Sequence, residues 1–82
     1  MTFHEAVAVA EMYIDRADMY KDFKNYYVFE RDSEVERISS EGMIAVSKDS
    51  GECFNFVAVI PKLGKCLGVY RRDNKGTFQK TS

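Results

Sequence analysis

Thr2-Phe3-His4-Glu5 is a capping box, and no other stretch constrains the fold of this chain as strongly. The Thr2 hydroxyl accepts from the amide of residue 5 while the Glu5 carboxylate reaches back to the amide of Thr2, so a helix begins here. Phe3, Ala6, Val7, Ala10, Tyr13, Ile14 and Ala17 then recur at the three- and four-residue spacing of one buried stripe. Glu5, Glu11, Asp15, Arg16 and Asp18 fall mostly off it. The pattern predicts an amphipathic helix over residues 3–19, which needs an apolar surface to cover it.

That surface is read from the rest of the chain. Residues 23–30, Phe-Lys-Asn-Tyr-Tyr-Val-Phe-Glu, are aromatic and β-branched and predict a strand, with Phe23, Tyr27 and Phe29 on the face that covers the helix. Arg31 to Glu41 is mostly polar and reads as a solvated connection. Residues 42–48 and 52–60 are apolar runs separated by Asp49-Ser50-Gly51, where Asp49 can bond the backbone ahead and Gly51 can take positive φ, as a short hairpin loop requires. Pro61 and Gly64 break the pattern. A strand over 66–72 and a turn at Asp73-Asn74-Lys75-Gly76 follow, and Thr77 to Ser82 is either a short last strand, over 77–80, or a frayed tail. The fold class is α+β, a single domain over residues 1–82 with one N-terminal amphipathic helix on an antiparallel sheet of three to five strands.

With 82 residues the chain buries only about two-thirds of its unfolded surface. A hydrophobic fraction of 45% and a charged fraction of 30% are those of an ordinary globular domain. No apolar run approaches the roughly 18 residues of a membrane span, and no basic-then-apolar leader pattern stands at the N-terminus, so the expected location is cytoplasmic, without membrane association. Cys53 and Cys66 sit in apolar surroundings without C-x-x-C spacing, which argues against zinc and for two buried thiols, and leaves their pairing open. No motif for a cofactor is present.

The net charge of −1 hides an asymmetry. Residues 1–41 carry ten acids against five bases, and residues 42–82 carry seven bases against three acids. Either half can present a surface that steers a partner of opposite sign, or the two can interleave and cancel.

Catalytic constellations are thin. His4 with Cys53 or Cys66 is the one conceivable nucleophile pair, but His4 falls in the first turn of a helix, where a cation is disfavoured. Asp49 and Glu52 are a carboxylate pair that turn chemistry and solubility already explain. The chain is therefore read as non-enzymatic. Two binding surfaces remain. Glu30, Asp32, Glu34, Glu36 and Glu41 adjoin the aromatic strand, so Tyr26 and Tyr27 as anchors and Glu30, Asp32, Glu34 and Glu36 as a steering rim form a candidate docking surface for a basic protein. Lys65, Tyr70, Arg71, Arg72 and Lys75 form the alternative, a basic stretch with an interleaved aromatic that suits nucleic acid.

Thr2-Phe3-His4-Glu5-Ala6, Ala8, Ala10, Tyr13-Ile14-Asp15, Tyr26-Tyr27-Val28-Phe29-Glu30 and the hairpin from Ile44 to Glu52 together resemble the immunity protein 35 family, the YrhB-like proteins. In that pattern an N-terminal helix precedes an aromatic-x-Phe strand and a strand ending in Asp-Lys-x-Ser/Thr-Gly-Glu. The chain departs from it at Ser40-Glu41-Gly42-Met43, where the family has a Gly-Asn-x-Pro turn, and at Leu63 to Arg72, which reads as strand where the family has helix. The resemblance implies a bacterial cytoplasmic protein that binds and blocks a toxin without catalytic residues. An inhibitor of a host enzyme encoded by a phage or mobile element, and a small nucleic-acid-binding module, are the alternatives. A monomer and a homodimer paired through an edge strand are both compatible with so small a sheet.

Overall fold

The computed structural model describes residues 2–14, 16–31 and 43–81. The chain has an α+β fold in which α1 (Phe3–Ala10), β1 (Met19–Asp22), β2 (Tyr26–Glu30), β3 (Met43–Ser47), β4 (Cys53–Asn55), α2 (Phe56–Leu63), β5 (Gly68–Arg72) and β6 (Phe78–Lys80) follow in order. The strands form one antiparallel sheet in the order β4-β3-β2-β1-β5-β6. Among the described residues, two helices and six strands replace the expected one helix and three to five strands. No helix among the described residues is long and apolar enough to cross a membrane.

The capping box is present, with Glu5 N donating to Thr2 Oγ1 and Thr2 N to Glu5 Oε1, each at 3.2 Å. The helix it starts is half the expected length. After Ala10 the backbone bonds tighten to Met12 N to Val9 O and Tyr13 N to Ala10 O, and Glu11 turns its carboxylate to the amide of Ala17 at 2.9 Å. Ile14 and Ala17 still reach the core, from non-helical backbone, while Tyr13 leaves the stripe and is exposed.

Met19–Asp22, expected at the end of the first helix and in the connection after it, is instead a central strand. A tight turn at Lys24-Asn25, closed by Phe23 N to Tyr26 O at 2.9 Å, joins it to β2. That turn also corrects the placement of Phe23. The alternation counted from residue 23 is interrupted before Tyr26, so Phe23 joins Val28 and Ala45 on one face while Tyr27 and Phe29 lie on the other.

The run expected as one strand over 52–60 divides at Asn55. The Asn55 side chain accepts from Val57 N at 2.9 Å and caps α2, which then carries Pro61 and ends at Gly64 with φ 69°. The preceding hairpin is as expected, with Gly51 at φ 77°. Its side-chain bonds come from Ser47 and Ser50 hydroxyls, which accept from the Ser50 and Glu52 amides, rather than from Asp49.

The core lies on both faces of the sheet. Ala6, Val7, Ala10, Ile14 and Ala17 pack on Tyr20, Phe29 and Val46, and Val59 and Leu63 of α2 pack on Phe23, Val28 and Ala45. Consecutive residues of one strand are thus fully buried in two places, Val28-Phe29 and Ala45-Val46, because a helix covers each side.

Candidate functional site

Both helices cover the same part of the sheet. α1 packs on β2 and β3, and α2 packs on β3 and β4. A helix about 10 Å across covers roughly two strands spaced about 4.8 Å apart. The β1-β5-β6 side therefore keeps open faces, and α2 keeps an open outer face. The candidate binding residues divide between them.

On the α1 side, Tyr20, Tyr70 and Phe78 stand on β1, β5 and β6 beside Phe3, His4 and Val7 at the start of α1. With Arg72, Gly76 and Thr77 they line an open cavity of about 360 Å³. Tyr20 and Tyr70 stack at 4.6 Å, and Phe78 meets Tyr20 edge-on at 5.1 Å and Phe3 at 5.6 Å. The guanidinium of Arg72 lies over the Phe78 ring, 4.9 Å from its centroid. One of its terminal nitrogens is 3.5 Å from Glu11 Oε2, and its Nε is buried without a hydrogen-bond partner. Burial, reinforced by Tyr70, Asp22 and Tyr27 nearby, pushes the Tyr20 hydroxyl up to about 12, so it stays protonated.

On the other side, α2 buries Val59 and Leu63 and turns Val57 and Ile60 outward, 56% and 48% exposed, with Leu67 beyond its end at 55%. Spacing explains this. Val59 and Leu63 are four apart on the inner face, whereas Val57 and Ile60 are three apart on the outer one. Lys62 sits in the last turn, where its charge complements the helix dipole.

The sequence-derived docking residues do not form one patch. Tyr26 and Tyr27 are neighbours in β2 and face opposite sides. Tyr26 packs edge-on against Phe54 on the α2 side, with Glu30 on the same side by alternation. Tyr27 belongs to the α1 side, where the Lys48 ammonium covers its ring at 4.6 Å while pairing with Asp22 at 2.6 Å. Asp32, Glu34, Glu36 and Glu41 lie outside the described residues.

The basic candidates separate too. Tyr70 and Arg72 share the α1 face, whereas Arg71 faces the other way, with a terminal nitrogen 3.8 Å from Met19 Sδ. Lys65 and Lys75 are exposed on loops. Asp49 and Glu52 are likewise exposed. His4 lines the cavity, but neither cysteine does. Cys53 is half-buried, with its thiol pKa raised by that burial, and Cys66 is exposed, so the expectation of two buried thiols fails at Cys66. Cys66 lies in the loop past α2, where its thiol donates to Gly68 O at 3.4 Å. Both thiols are free.

Residues that sequence reasoning passed over as binding residues are Val57, Ile60 and Leu67 on one side and Phe3 and Tyr20 on the other. For the first group a signal was available, since Asn55 is a good cap and Val57 and Ile60 have helical spacing. Comparison with known proteins adds nothing to these assignments, because no family model, no curated protein and no solved structure matches the chain.

Proposed function

We propose that this chain acts without catalysis, by binding and blocking a protein partner, and that the outer face of α2 is the anchor of the interface. The observation that carries this reading is the exposure of Val57 and Ile60 on a helix whose other face is buried in the core. A small domain that holds two branched apolar side chains in water on a rigid, capped helix has a surface suited to desolvation by a partner. Tyr26 and Glu30 lie on the same side of the sheet and extend the surface toward the acidic run that begins at Glu30.

The partner chemistry follows from charge. The acidic residues Glu30, Asp32, Glu34, Glu36 and Glu41 suit a basic protein, and Val57 and Ile60 call for an apolar recess on it, although residues 42–82, which hold α2, carry seven bases against three acids. The resemblance to the immunity protein 35 family makes that partner a bacterial toxin, of which a basic nuclease is the type with the right charge.

The test is capture by the tagged chain from lysate of the native source at low and moderate salt, with bound protein and nucleic acid both identified. A single stoichiometric basic protein that survives moderate salt supports the blocking role. Nucleic acid that washes away with salt, with no protein retained, contradicts it.

A further inference from the structure

The cavity between the start of α1 and the β1-β5-β6 side of the sheet has no part in the protein-blocking role. Its volume of about 360 Å³ is within the range of small-molecule sites. Its walls are aromatic, formed by Phe3, Tyr20, Tyr70 and Phe78, and the rings already meet one another at the stacked and edge-on distances that a further planar ring would join.

His4, Thr77 and Arg72 are the polar residues that join the aromatic ones in lining this cavity, and Arg72 is the under-satisfied one. Its side chain is 19% exposed, and its one ion pair among the described residues, to Glu11, is 3.5 Å long. A charge-assisted N–H to carboxylate bond is typically about 2.7–2.9 Å. The same Glu11 oxygen also accepts the Ala17 amide at 2.9 Å, so it is held by the loop and not by the guanidinium. Arg72 Nε has no partner at all. A guanidinium carries five donors in a planar fork matched to a carboxylate, and here a single long contact engages them. Lys80, the cross-strand neighbour of Tyr70, brings a second positive charge to this face.

We propose that this cavity is a binding site for a small planar aromatic carboxylate, its ring seated among Phe3, Tyr20, Tyr70 and Phe78 and its carboxylate paired with Arg72. Binding displaces the weak Glu11 contact and gives the guanidinium a partner of matching geometry. Ring and charge are both required. An inorganic anion lacks the ring, and a neutral arene leaves Arg72 as it is.

The experiment is an amide chemical-shift titration of the intact chain with benzoate, and with benzamide as the neutral molecule of the same shape. The expected result is saturable shifts with benzoate, confined to the start of α1, Tyr20, Tyr70, Arg72 and Gly76 to Phe78. Benzamide should bind about tenfold more weakly or worse, the loss expected for one charge-assisted bond, and Arg72→Gln should weaken benzoate by a similar factor. Equal binding of the two probes by the native chain overturns the proposal without reference to any variant. So does the lack of a saturable benzoate shift up to millimolar concentration, or unchanged benzoate binding in a folded Arg72→Gln protein.

Discussion

The rings of Tyr20 and Tyr70 stack face to face, 4.6 Å apart and 6° from parallel, directly across the pairing of β1 with β5. This pair ties the carboxyl-terminal hairpin to the centre of the sheet, beside the first turn of α1, whose Phe3 ring lies 4.7 Å from that of Tyr20. Gly68 makes room for it, since a Cβ there would stand 3.1 Å from the Tyr70 ring. Tyr70→Ala should lower stability by about 1–3 kcal/mol, and Gly68→Val should lower it by displacing the same ring. Urea denaturation of both variants checks this. Native stability in either would mean that the stack holds nothing together.

The Tyr20 hydroxyl, held at about 12 against an ordinary 10.0, gives a pH dependence of definite sign. The unfolded chain loses this proton first, so the unfolded state binds fewer protons over that interval and stability falls as pH rises. The contribution is complete below pH 10 and is lost as pH climbs through about 12. Tyr20→Phe removes the titrating group. Denaturation at neutral and at strongly alkaline pH should show a smaller alkaline loss in Tyr20→Phe than in the native chain, and equal losses would contradict the assignment.

Glu11 joins two parts of the chain, accepting the Ala17 amide at 2.9 Å and approaching Arg72 at 3.5 Å. Glu11→Ala leaves a partly buried amide and a guanidinium without partners, and should cost about 1–3 kcal/mol. If the cation carries part of that cost, Glu11→Ala with Arg72→Met should be more stable than Glu11→Ala alone. A double-mutant cycle by chemical denaturation measures it, and strict additivity would show that the two residues do not interact.

The two faces of α2 should respond differently to substitution. Leu63→Ala opens the core under the helix and should cost about 2–5 kcal/mol. Asn55→Ala removes the cap and should cost about 1 kcal/mol. Ile60→Asp touches only the exposed face and should leave stability within about 0.5 kcal/mol. Thermal unfolding ranks the three, and a large loss in Ile60→Asp would mean that this face is packed.

Much of this architecture was legible from local chemistry. Thr2 and Glu5 announce the start of α1, Gly51 and Gly76 mark turns, and Val28-Phe29 and Ala45-Val46 announce strands. What stayed hidden depends on partners distant in sequence. Tyr20 belongs to a central strand because Phe29 and Tyr70 flank it, and nothing in Met19–Asp22 distinguishes it from a helix end. Glu52 to Ile60 reads as one apolar run until Asn55 is seen as a cap, which its neighbours decide. The same limit applies to binding residues. Tyr26 and Tyr27 are adjacent in sequence and on opposite sides of the sheet, so their chemistry could be read but not their division between two surfaces.

Charge steering gives a separate test of the acidic run. Reversing Glu34 and Glu36 to lysine should reduce affinity for the captured partner by about tenfold or more at low salt, chiefly through slower association, with the difference shrinking as salt rises. Unchanged affinity at low salt would remove these residues from the interface.

Val57 and Ile60, on the outer face of α2, are the proposed anchor for a protein partner. The most direct measurement is capture at moderate salt by the native chain and by Ile60→Asp side by side, once equal melting temperatures have shown that both are folded. The predicted result is one stoichiometric protein held by the native chain and lost from Ile60→Asp. Equal capture of that protein by both chains would contradict the claim.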